Sequence, residues 1–60
     1  METKTVYVTY EYDLNGSHYW SSTDESFQIY CETITESAII REIRNRYSDR
    51  TNIVILGWHE

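Results

Sequence analysis

His18, His59, Cys31 and the adjacent pair Asp24 and Glu25 are the residues of this chain whose types could do chemistry. A histidine acting as general acid or base needs a positioned partner, a pocket and donors for developing charge. A small flat sheet offers little concavity, so His18 reads as an exposed strand residue and His59 as a frayed terminus. Cys31 would be nucleophilic only with a lowered pKa, and neither a helix N-terminus nor a basic neighbour in sequence supplies one. It reads as a buried or half-buried structural thiol. Zinc wants three or four Cys or His ligands at close spacing, and these residues are scattered and too few. We therefore expect no catalytic, metal or cofactor site, and no enzyme. Asp24 and Glu25 read first as solvated charge. With Glu11, Asp13 and Glu32 they could also form an acidic face that mimics nucleic-acid phosphates.

The aromatic residues carry a second kind of chemistry. Tyr7, Tyr10, Tyr12, Tyr19, Trp20 and Tyr30 could form a platform on which single-stranded bases stack. That use requires accompanying cations, and the region holds only Lys4. Half of these rings must serve the core; the others fit anchors in a protein interface, where Tyr and Trp dominate the energy. Tyr7, Tyr19, Trp20 and Tyr30, with Glu11, Asp13, Asp24 and Glu25, are thus the candidates for contact with a partner. The net charge of −5 is uneven, because residues 1–40 set seven carboxylates against Lys4 alone. Such a field repels a phosphate backbone and suits a basic protein surface. Arg41, Arg44, Arg46 and Arg50 give the later part of the chain a basic side. It reads as a solvated helix face with an ion pair to Glu42 or to a second copy of the chain; its use by a small nucleic-acid-binding regulator is the contrasting reading.

The elements that must position these residues follow from periodicity. Residues 5–14 alternate, with Val6, Val8, Tyr10, Tyr12 and Leu14 on one face and Tyr7, Thr9, Glu11 and Asp13 on the other, which predicts a half-buried strand. Asn15-Gly16 is a type I′ turn signal, and residues 17–23 should return as a second strand carrying His18, Tyr19 and Trp20. Extended alternation resumes at Phe27, Ile29 and Cys31, giving either one long bulged strand or a separate third strand in a four-stranded sheet. Thr33-Ile34-Thr35-Glu36 has capping-box spacing, and a helix to about Ser48 should bury Ile39, Ile40, Ile43 and Tyr47. Glu42 and Arg46 are placed to pair within it. Residues 53–58 form a last strand, apolar on both faces. The expected fold is one α+β domain over 1–60: β-β-α-β, a three-stranded (alternatively four-stranded) antiparallel sheet in spatial order 2-1-3, with one helix on one face.

Sixty residues make a marginal core, and a lone cysteine cannot form a disulfide within the chain. A partner subunit is the remaining way to add buried surface. The apolar last strand would sit at an unpaired edge, which natural proteins normally cover. Pairing with a second copy would cover it, so we expect a homodimer with Ile53, Ile55, Leu56 and Trp58 at the interface. No long apolar run or signal peptide is evident, and a free thiol fits a reducing cytosol.

The segments TVYVTYEYDLNG, IREIRNRY and NIVILGW together resemble very small proteins encoded by phages of Gram-positive bacteria. The likeness is nearest to the anti-defence kind that inhibits the Hachiman immune system. It implies a compact cytoplasmic homodimer in the infected cell that blocks a host helicase–nuclease complex. In size, acidity and strand order the chain is also similar to the DNA-mimicking phage inhibitor of uracil-DNA glycosylase.

Overall fold

The computed structural model describes residues 2–60. Its element order is β1 (Glu2–Leu14), β2 (Ser21–Cys31), α1 (Glu36–Arg46) and β3 (Arg50–His59). The three strands form one antiparallel sheet in the order β2-β1-β3, and α1 packs more closely over β3 than over β2. This is the α+β, β-β-α-β fold expected, in its three-stranded form.

Alternation in β1 decides which sheet face is buried. Val6, Val8 and Tyr10 point toward α1 and join Phe27, Ile29, Ile34, Ile39 and Ile43 in the core. Each such side chain, once buried, contributes roughly 1.5–3 kcal/mol of transfer free energy. The other sheet face has no covering layer among the described residues. It carries Thr3, Thr5, Tyr7, Thr9 and Glu11 of β1 beside Ser22, Asp24, Ser26, Gln28 and Tyr30 of β2.

Several local expectations are corrected. A turn does form at Asn15-Gly16, both with left-handed backbone and closed by Ser17 N donating to Leu14 O at 3.0 Å. The return strand, however, begins only at Ser21, opposite Tyr12. His18 takes φ 65°, which breaks the extended chain, so His18, Tyr19 and Trp20 lie on a loop rather than in a strand. β2 then pairs with β1 in unbroken register. The irregularities fall instead between β1 and β3, at Thr9/Tyr10 and Glu11/Asp13. The second of these reverses the alternation: Asp13 turns inward and is fully buried, while Leu14 is exposed.

The helix is capped by Thr35, whose hydroxyl accepts from Ala38 N at 3.2 Å, not by Thr33. With Ala38 three residues beyond the cap, the reciprocal Glu of a capping box is missing. Glu36 in the first turn and Arg44 and Arg46 in the last complement the helix dipole. The helix stops at Arg46, short of Ser48, because Tyr47 is already extended. The Glu42–Arg46 pair is present at 3.0 Å.

Candidate functional site

Two polar clusters occupy the side of the sheet that faces α1. In the first, Glu25 accepts from the Tyr10 hydroxyl at 2.6 Å and from the Tyr47 hydroxyl, and Arg50 donates to the Tyr10 oxygen. The Arg50 guanidinium also lies 3.6 Å from Glu25 and is flanked by the rings of Tyr47, at 3.8 Å, and Tyr12, at 4.3 Å. Burial, then the bond to Glu25, pushes the Tyr10 phenol well above its ordinary pKa. The bond to Glu25 raises Tyr47 likewise. The cluster ties β1, β2, the end of α1 and β3 together. Glu25, expected on an acidic partner-binding face, instead faces inward opposite Val8 and is satisfied within the chain.

Asp13 is the hub of the second cluster. Its carboxylate accepts from the Thr51 hydroxyl, from Asn52 Nδ2 at 3.0 Å and from His18 N at 3.4 Å. These donors, Thr51 first and Asn52 second, hold its pKa below the usual carboxylate range. Asn15 N to Asp49 O at 2.8 Å and Gly16 N to Thr51 Oγ1 at 2.9 Å complete the seam. Asp13 is thus unavailable to a partner. It fastens the loop after β1 to the start of β3 and so fixes how Tyr19 and Trp20 are presented. The sequence signal for this role was the polar Thr51-Asn52 pair at the head of an apolar strand.

What remains outside is apolar, aromatic and uncharged along β3. Val54, Leu56 and Trp58 are 46%, 55% and 37% exposed, and no Asp, Glu, Lys or Arg lies between Arg50 and Glu60. Ile53 and Ile55 are half-buried against the core. Strand order makes β3 an edge strand, with β1 on one side only. Tyr7, Tyr19, Trp20 and Tyr30 are all exposed, but they are not one patch. Tyr7 and Tyr30 stand on the open sheet face, and Tyr19 and Trp20 on the loop. His59, far from frayed, ends β3 with its ring stacked on Tyr7 at 5.1 Å. Val54, which sequence reasoning did not single out, lies on the open face opposite Glu11.

Charge divides between the two faces. Register puts Lys4 on the helix side, opposite the buried Ile29, and Arg41, Arg44 and Arg46 are on α1. The Arg50 side chain points into the tyrosine cluster. Among the described residues the open face therefore holds Glu11 and Asp24 and no Lys or Arg, with Asp24 accepting from Thr9 Oγ1 at 2.7 Å. Cys31 is a half-buried free thiol. Among the described residues, no three His, Cys, Asp or Glu side chains converge in a metal-binding group, and no helix is long and apolar enough to cross a membrane.

No family model, no curated protein and no solved structure matches this chain.

Proposed function

We propose that the chain works by binding another protein, as a homodimer joined along β3, and performs no chemistry itself. The observation that carries this reading is the free β3 edge: an uncharged apolar strand with Val54, Leu56 and Trp58 exposed on a chain of net charge −5. An edge of that kind is an aggregation hazard unless covered, and covering it with the same strand of a second copy closes the assembly.

The dimer acts as a stoichiometric inhibitor that occludes a host anti-phage defence protein of the helicase and nuclease type. Support for this target class is the likeness to small phage anti-defence proteins in the three segments quoted above. The acidic open face, which holds no Lys or Arg among the described residues, is also suited to steering toward a basic surface. Tyr7 and Tyr30 on that face are the anchors, with Tyr19 and Trp20 at the loop as a second contact. The alternative of a DNA mimic loses support, because two of its carboxylates, Asp13 and Glu25, are engaged internally.

One observation favours a second reading. Segregation of the cations on the helix side gives α1 an outer face with Arg41 and Arg44 exposed, as a nucleic-acid-binding regulator would need.

The test is co-expression with a Hachiman-type defence system during phage challenge, together with affinity capture of its components. Loss of defence, with the helicase or nuclease retained in stoichiometric amount, is the expected result. Defence that survives saturating amounts of the protein would overturn the inhibitor reading. Nucleic-acid binding that weakens steeply with salt would favour the regulator.

A further inference from the structure

One flank of α1 is self-complementary. A helix advances about 100° per residue, so Glu36, Ile40 and Arg44 stand in one ridge at four-residue spacing. The buried direction of α1 is set by Ile39 and Ile43. The Arg46 guanidinium lies over the Phe27 ring at 5.1 Å, which assigns that flank to β2. The ridge of Ile40 is on the opposite flank and leans over the free β3 edge. A right-handed β2-α1-β3 crossover places it there as well. Glu36 and Arg44 are exposed, Ile40 is half-exposed, and neither charge has an ion-pair partner among the described residues.

We propose that this ridge is the second half of the interface between two copies of the chain. The inference rests on the β3 homodimer proposed above and names what joins the helices across it. Antiparallel pairing of two β3 strands about a two-fold axis makes a six-stranded sheet with both helices on one face. Centred over β1, the helices would stand three strand spacings apart, about 14 Å. The closer packing of α1 on β3 shortens that separation toward the 8–10 Å of direct helix packing. The two-fold then sets Ile40 against Ile40 of the second copy, and Glu36 of each against Arg44 of the other. An order of acid, apolar, base is the one an antiparallel two-fold makes complementary. The β2 flank, whose Glu42 and Arg46 already bond each other, has no charge left over for a second copy.

Charge reversal tests this by sedimentation. Glu36→Arg alone and Arg44→Glu alone each create two like-charge contacts per dimer and should weaken association about tenfold. The double variant Glu36→Arg/Arg44→Glu should regain most of the loss, although it leaves both helix ends worse for the dipole. Restoration despite that penalty separates a contact between copies from a stability effect within one. Circular dichroism on the same samples confirms folding, and Ile40→Lys, which leaves the charged pair in place, should also dissociate the dimer. Dimers unaffected by the single reversals and by Ile40→Lys would overturn the ridge and leave β3 pairing standing. A chain that is monomeric as wild type would overturn both.

Discussion

Before any apolar residue β2 runs through Ser21, Ser22, Thr23, the exposed Asp24, the inward-turned Glu25 and Ser26, while β3 runs from Thr51 to Trp58 without a charge. Both strands are edges of one sheet, and both have neighbours on one side only. Self-pairing of β2 would bring carboxylates from two copies close together, an arrangement that repels. Self-pairing of β3 opposes no like charges and buries Val54, Leu56 and Trp58. The contrast teaches which edge is protected from association and which is shaped for it.

Breaking that contrast should have the largest effect. Leu56→Lys puts a charge into the β3 edge and should weaken dimerisation about a hundredfold, equivalent to about 2.7 kcal/mol. Ser22→Lys, made on the β2 edge, should leave it unchanged; sedimentation velocity reads both. Next comes the cluster behind the β2 edge. Glu25→Gln removes the charge that Tyr10, Tyr47 and Arg50 share, and should cost about 1–3 kcal/mol of stability in thermal or urea unfolding.

Asp13 sharpens the comparison at the β3 end. Its folded pKa is depressed, so the stability it adds is present above the ordinary carboxylate value, about 3.9. That stability is lost as pH falls through its lower folded value. Urea midpoints measured from neutral pH down into this window should fall for the wild type. Asp13→Asn should be less stable at neutral pH and lose that component of the acid response. The smallest effect belongs to the β2 flank of α1. Glu42→Ala should cost about 0.3–0.5 kcal/mol and leave dimerisation unchanged.

The sequence made the fold class, strand order and most of the core readable, because β1 alternates cleanly as far as Tyr10 and α1 buries Ile39 and Ile43 on one stripe; Leu14 and Ile40, expected inside, are exposed and half-exposed. It did not show Asp13 inside, because a bulge reverses alternation without any local mark in residue type. Nor did it show that Ser17–Trp20 leaves the ladder, since the Asn15-Gly16 turn forms as its residues demand. The extended chain is broken at His18, whose φ of 65° no residue type in Ser17–Trp20 announces. The exposed Leu56 and Trp58 were legible, as residues of an apolar strand with one neighbour too few. Glu25 was misread because an acid in a polar run looks solvated until Tyr10, Tyr47 and Arg50, distant in sequence, converge on it.

The most direct test of the central claim is the mass of the protein in solution, by sedimentation velocity across the micromolar range, beside Leu56→Lys. The wild type should run at twice the chain mass and the variant, still folded by circular dichroism, at the chain mass. A wild type that stays monomeric across that range would contradict it.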